Sequence, residues 1–249
     1  MVVNRKTGKP APAPKNLAVR TTGGIHNGYA KAPEQTLADS VYEQILLRII
    51  RGEFIGGQEL KSTILAKNLG VSRTPVVQAL QRLAADGIVN LELNKRALVR
   101  PGAENWLVEI HHLRELLEPH AASLAAIKMP DVQLEQLREL AAAAAERPGF
   151  DRTTAEWAAA VQKFDFALHL AIADHTDNRA LGEAIRKCWS YKRLSYDAVV
   201  DLPDTLAKAY DEHLSILQAL ASRDPQTASA AMLFHLRSAA ATRPERRIV

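Results

Sequence analysis

The sequence predicts a mainly α fold in two parts: a small helical head closed by a β-hairpin, then an all-helical antiparallel bundle. Three observations carry this expectation. Apolar residues recur at helical spacing from Leu37 almost to the C-terminus. Ala and Leu, both good helix formers, dominate a chain that is 47% hydrophobic but only 5% aromatic. Strand-like sequence is confined to residues 88–101, between turn-forming residues.

Residues 1–36 combine Pro, Gly, Lys and Thr with little hydrophobic periodicity, and read as a flexible basic arm. The periodic pattern begins at Leu37. In LADSVYEQILLRIIRGEF, Leu37, Val41, Ile45 and Ile49 share one helical face, and Gly56 and Gly57 then break the chain. KSTILAKNLG is a short helix with Ser62 or Thr63 as its cap, Ile64, Leu65 and Leu69 as its apolar residues, and Gly70 at its end. VSRTPVVQALQRLAADG is a third helix. Ser72 is its expected N-cap, Pro75 is tolerated in the first turn, Val76, Leu80 and Leu83 face inward, and Gly87 ends it. IVNLE and ALVRP follow as two short strands around the turn LNKR.

Helix, helix, turn, helix and hairpin is the order of a winged helix-turn-helix domain, here spanning 37–101. Its third helix enters the major groove by its N-terminal end, which carries Arg73 and Thr74. An arginine there can bond guanine O6 and N7 or clamp a phosphate. Lys95 and Arg96 at the hairpin tip suit the DNA backbone or minor groove. The charge distribution agrees. Six Lys/Arg face one Glu in residues 1–36 and nine face six acidic residues in 37–101, whereas 17 face 21 in 102–249. The basic surplus lies at the end expected to meet a polyanion.

Other classes are disfavoured. One cysteine, Cys188, leaves no intrachain disulfide, as expected of a reducing interior. There is no apolar run of 18 residues and no signal-peptide core in MVVNRKTGKPAPAPK, so no membrane association and a cytoplasmic location are expected.

The segment GEFIGGQELKSTILAKNLGVSRTPVVQALQRLAADGIVNLELNKRALV resembles the winged-helix domain of the GntR family of bacterial transcription regulators, most clearly in GVSRTPV followed by AL..L...G. The resemblance implies DNA contacts from Ser62, Thr63, Ser72, Arg73, Thr74, Val77, Lys95 and Arg96. It is not complete. Val77 and Gln78 stand where the family usually has Arg and Glu, so Val77 could touch a thymine methyl instead. Arg96 stands where a hairpin glycine is usual, and Thr63 where some members place an arginine.

Residues 102–249 read as six helices in an antiparallel bundle: AENWLVEIHHLRELLEPHAASLAAIK, then DVQLEQLRELAAAAAE capped by Asp131, then about 153–174, 179–197, 203–222 and 224–241. The stretch KFDFALHL puts Asp165 and His169 one turn apart on one face. His213 lies on the stripe of Leu206, Tyr210, Ile216, Leu217 and Leu220, and His235 lies with Ala228, Met232 and Ala239. Three helices thus aim polar groups inward, and a buried carboxylate without a partner is expensive. One carboxylate and three imidazoles suit a divalent transition metal such as zinc, nickel or manganese. A hydrogen-bonded histidine core is the alternative.

LRELLEPHAASLAA, DFALHLAIADHTDNRAL, DEHLSILQAL and AAMLFHL are similar to the ligand-sensing FCD domain of FadR-type GntR regulators. The resemblance implies metal ligation by Asp165, His169, His213 and His235, at the floor of a pocket for a small carboxylic or sugar acid. It further implies an effector-binding Arg114, whose alternative is an ion pair with Glu118, and a pocket Asn178, whose alternative is a helix N-cap. His111, His112 and His120 fit no ligand pattern and are expected at the surface or an interface. Nothing separates Tyr191, Arg186 and Trp189 as pocket residues. The expected function is a one-component transcription regulator without enzymatic activity: a homodimer on a palindromic operator, most simply a repressor responsive to the acid. The alternatives are a constitutive dimeric DNA-binding protein with a structural metal, and a His/Asp metal-dependent hydrolase, for which no clear general base is present.

Overall fold

The structure, a computed structural model, describes residues 36–92, 96–145, 154–198 and 203–241. The arm, apart from Thr36, and the hairpin residue Lys95 lie outside the described residues.

The head begins with α1 (Leu37–Ile50). Thr36 caps it through a reciprocal box: its hydroxyl accepts from the Asp39 backbone N–H, and the Asp39 carboxylate accepts from the Thr36 N–H. Val41, Ile45 and Ile49 are buried as expected, joined by Tyr42, Leu46 and Ile50. Leu37 is not; it stands 56% exposed in the first turn beside the cap. Helix α2 (Ser62–Leu69) starts one residue before the expected caps. Lys61 has the extended backbone of the N-cap position, which makes Ser62 the first helical residue, and no side chain caps the end. The turn to α3 (Arg73–Ala85) runs through Gly70 at φ 66°, the left-handed conformation that glycine adopts without strain. Ser72 does occupy the N-cap position of α3, but its hydroxyl makes no capping bond.

Strands β1 (Val89–Leu91) and β2 (Ala97–Val99) pair antiparallel, with Val89 opposite Val99 and Leu91 opposite Ala97. Glu59 bridges to Leu98, so the segment before α2 lies along the outer edge of the wing. Val76, Ala79, Leu80 and Leu83 of α3 close the head core against α1 and β1.

A short 3₁₀ turn (Ala103–Asn105) leads into the bundle: α4 (Trp106–Lys128), α5 (Asp131–Ala144), α6 (Ala155–Asp174), α7 (Arg179–Ala198), α8 (Pro203–Ala221) and α9 (Pro225–Ala241). The mainly α class and the order of elements are as the sequence predicts. Asp131 is not the cap of α5. Pro130 holds that position, and the Asp131 carboxylate instead accepts from Arg223 Nη2 at 2.5 Å. Small residues on α4 (Ala121, Ala122, Ala125 and Ala126) are fully buried, and α9 packs along this helix. His111, expected at the surface or an interface, is 3% exposed, with Nε2 2.8 Å from the Leu236 carbonyl of α9. A ring nitrogen satisfied by that carbonyl is what makes a histidine tolerable between two packed helices. His112 and His120 are exposed, as expected.

Head and bundle belong to one compact unit. Ile110 of α4 and Cys188 and Tyr191 of α7 are part of the head core. Polar bonds frame this joint. Asp86 accepts from the Tyr42 hydroxyl (2.6 Å) and pairs with Lys187 (2.7 Å), and Arg100 reaches Glu109 (2.9 Å). Tyr191 meets Trp106 edge-on at 5.5 Å between ring centroids.

Candidate functional site

Three bundle helices deliver four donor groups to one point. Helix periodicity places Asp165 and His169 on the inward face of α6, between Phe164, Leu168 and Ile172 of the core. Helix α8 adds His213 and α9 adds His235. The His169 and His213 Nε2 atoms are 3.4 Å apart, and those of His213 and His235 are 3.1 Å apart. Asp165 Oδ1 lies 3.3 Å from His169 Nε2 and 3.1 Å from His213 Nε2. One potential donor atom from each of the four residues falls within 4.8 Å of the others. The three rings are buried and the carboxylate is half-buried.

Carboxylates behind the rings decide which nitrogens point inward. His169 Nδ1–H donates to Glu118 Oε2 on α4, and His235 Nδ1–H donates to Glu212 Oε2 at 2.9 Å. A proton fixed on Nδ1 leaves a bare lone pair on Nε2. Two lone pairs therefore face each other across His213, whose Nε2 has at most one proton to give. Adding the Asp165 oxygen leaves a cluster of acceptors short of donors. A cation resolves this, and the spacing fits one. Four ligands about 2.0–2.1 Å from a tetrahedral ion stand roughly 3.3 Å apart.

The electrostatics favour the ligating protonation states. Burial lowers the pKa of His169, although Glu118 opposes this. Burial, reinforced by His213 and His169, holds His235 well below the usual imidazole range. Burial would raise Asp165, but His213 and His169 hold it well below the carboxylate range. A neutral His169, a neutral His235 and an ionised Asp165 are the forms that bind a metal.

Glu118 has further partners. Arg114 Nε donates to its Oε1 at 2.5 Å, and Trp189 Nε1 of α7 donates to the same oxygen at 3.0 Å. Burial would raise this carboxyl, but Arg114 and His169 hold it at about 2. The Arg114 guanidinium lies 4.3 Å from the centroid of the Trp189 ring, and that ring is 4.6 Å from the His169 ring. Arg114 is thus buried beside the site in the ion pair with Glu118. Asn178 caps α7, its Oδ1 accepting from the Leu181 N–H at 3.1 Å, in the turn after α6. Arg186 pairs with Asp174 and Glu183 in the same region. Glu118 and Glu212 were missed as site residues. The signal available for Glu118 was its i,i+4 spacing from Arg114 on an otherwise apolar face; Glu212 carried only its position beside His213.

In the head, Ser72, Arg73 and Thr74 are exposed at the start of α3, and Val77 is half-buried one turn further on. Arg73 Nε donates to Ser62 Oγ at 3.0 Å, which ties the N-terminal ends of α2 and α3 together, while Thr63 is exposed beside them. No acidic residue occupies the first turn of α3, so the positive end of the helix dipole and the Arg73 charge act in the same direction. Arg96 lies 3.4 Å from Glu59 and 3.7 Å from Glu92.

A helix-turn-helix head with a cationic recognition end, joined to a helical bundle with an inward-facing His/Asp cluster, is the architecture of a one-component DNA-binding regulator. Comparison with known proteins gives its family. The model of the bacterial regulatory proteins of the gntR family matches residues 37–99, and the FCD domain matches residues 109–238. The chain belongs to the GntR family of transcription regulators, in the group that carries an FCD domain. It is similar to the HTH-type transcriptional regulator LutR of Bacillus subtilis (28% identical, covering 76% of this chain and 92% of the relative). It is also similar to a probable D-xylose utilization operon transcriptional repressor of Paenarthrobacter nicotinovorans (29% identical, 81% and 86%). The fold matches that of E. coli McbR/YncC with a TM-score of 0.56 at 23% identity, covering 83% of this chain and 96% of that one. Family and relatives point to transcription regulation rather than to an enzyme. Among the described residues no helix is long and apolar enough to cross a membrane.

Proposed function

We propose that the chain is a ligand-responsive repressor whose bundle, residues 102–249, senses a small carboxylic or sugar acid beside a bound divalent metal. Its head, residues 37–101, reads an operator. The observation that carries this reading is the convergence of three imidazole nitrogens and a carboxylate, with at least two of the nitrogens presented as lone pairs. Asp165, His169, His213 and His235 would hold the ion, with zinc, nickel and manganese as the candidates. The metal would supply a Lewis-acidic point for an effector carboxylate. Arg114 is the guanidinium nearest to hand for the same anion, and it would exchange Glu118 for the effector. Asn178, which caps α7, would hold the α6–α7 turn in place.

On the DNA side, Arg73 and Thr74 would meet base edges and phosphates, with Ser62, Thr63, Ser72 and Val77 alongside and Lys95 and Arg96 on the wing. Homodimerisation is supported by α4, where Leu113, Leu116, His120 and Ile127 recur at heptad spacing on an exposed face and Leu116 is 75% exposed. Two heads related by a two-fold axis would select a palindromic operator, in the cytoplasm where such DNA is found. Relatives named for an operon they control support the regulatory role.

Elemental analysis of untagged protein purified without chelator tests the metal. About one transition-metal ion per chain is the expected result. No metal after incubation with zinc, nickel and manganese would reduce the cluster to a hydrogen-bonded core. Operator affinity that ignores small organic acids in the metal-loaded protein would make the ion structural and the protein constitutive.

A further inference from the structure

The metal donors are not held by their own helices alone. Each of two ring ligands is backed by a carboxylate from a separate residue. Glu118 of α4 is fully desolvated and stands behind His169. Glu212 of α8 is 8% exposed and stands behind His235, 2.9 Å from its Nδ1. Neither lies among the four inner donors.

We infer that Glu118 and Glu212 are positioning residues for the metal, fixing His169 and His235 in the Nδ1–H form and tuning the site to a dication. This deepens the proposed function and rests on its metal reading. Two arguments support it. The first is tautomeric. An imidazole free in solution divides its proton between two nitrogens, and a carboxylate acceptor at Nδ1 removes that choice, leaving Nε2 as a ligand. The second is the charge balance. Asp165, Glu118 and Glu212 place three carboxylates around the rings. Arg114 is the one buried Lys or Arg among the described residues. Lys192, which is not fully buried, also acts on Asp165, but the carboxylates still outnumber the cations, and a metal cation neutralises the surplus.

The two carboxylates differ. Glu118 also takes the Arg114 guanidinium and the Trp189 indole N–H, so it links the metal ligand to the expected effector-binding arginine and to α7. Glu212 Oε1 has no hydrogen-bond partner among the described residues, so Glu212 serves His235 alone there.

The test uses the full chain, zinc as the probe, and the variants Glu118→Gln and Glu212→Gln. A glutamine matches the shape, but its amide presents either a donor or an acceptor to Nδ1, so the tautomer is no longer fixed. Zinc affinity, measured by competition with a chromophoric chelator, should fall about 10–100-fold in each variant. Ring ¹⁵N chemical shifts of the metal-free protein should show His169 and His235 protonated at Nδ1 in the wild type. In its own variant, each ring should become a mixture of tautomers. A merely structural glutamate would leave the tautomers unchanged. If wild-type protein takes up no zinc, the metal reading fails and this inference falls with it. If wild-type binds zinc and both variants bind it equally tightly with unchanged ring shifts, the inference is overturned and the metal reading stands. Should Glu118→Gln not fold, the result for Glu212→Gln decides alone, because that residue carries none of the Arg114 and Trp189 contacts.

Discussion

His213 sits at the middle of the cluster, with its Nε2 3.1 Å from both the Asp165 oxygen and the His235 nitrogen. Replacing it with alanine removes the one ring that touches the other three donors. His213→Ala should weaken zinc binding by more than the roughly 10–100-fold typical of an outer partner, read by metal content and chelator competition. Unchanged metal content would take His213 out of the site. In the head, Arg73→Ala should weaken specific operator binding by about 1–3 kcal/mol, measured by fluorescence anisotropy at fixed salt. The helix content should not change, since Arg73 is exposed and bonds the Ser62 hydroxyl rather than a core group. The four inner donors were legible in the sequence because each is a polar residue on an apolar helical stripe. Glu118 and Glu212 were not. A glutamate four residues after an arginine reads as an ion pair and no more, and one beside a histidine points, by helical geometry, to a different face. Only the approach of α4 to α6 and of α8 to α9 turns both into partners of the rings.

Among elements, the helices appear where the apolar period places them, with ends displaced by a few residues. The errors concentrate at caps. Ser62 and Asp131 have the right chemistry for N-caps, yet the helix begins one residue earlier in the chain, at Lys61 and Pro130 in the cap position. Side-chain preference is a weak guide to a backbone angle, and that angle is set by what the preceding loop must reach. Thr36 is the opposite case, a cap that was read as part of the arm and is bonded in both directions with Asp39. Thr36→Ala should destabilise the protein by about 1 kcal/mol in urea unfolding. A change within measurement error would mean that the first turn of α1 frays already. The bury-or-expose pattern of α3 was also legible, because Val76, Leu80 and Leu83 keep a strict helical spacing that no turn geometry can move.

At the level of the whole molecule, the joint between head and bundle was invisible in the sequence. Cys188 and Tyr191 contact partners more than a hundred residues away, and their own helix reads as an ordinary bundle element. Asp86 lies at the centre of this joint. Burial would raise its pKa, but hydrogen bonds from Lys187, Tyr42 and Tyr191 hold it below the ordinary carboxylate value. A lowered pKa in the folded state means that Asp86 contributes stability above the unfolded pKa of about 3.9 and loses that contribution as the pH falls below it. The melting temperature of wild type should therefore drop between about pH 5 and pH 3 more steeply than that of Asp86→Asn. Parallel curves would show that the pairing with Lys187 and Tyr42 contributes nothing.

Because the wall of the head core is completed by α7, the DNA-reading half of this protein is not a cassette. A graft that cut the chain after residue 101 and joined another sensor would strip Ile110, Cys188 and Tyr191 from the head core. A head transferred to another sensor keeps its packing only if that sensor supplies side chains that fill the places of Cys188 and Tyr191.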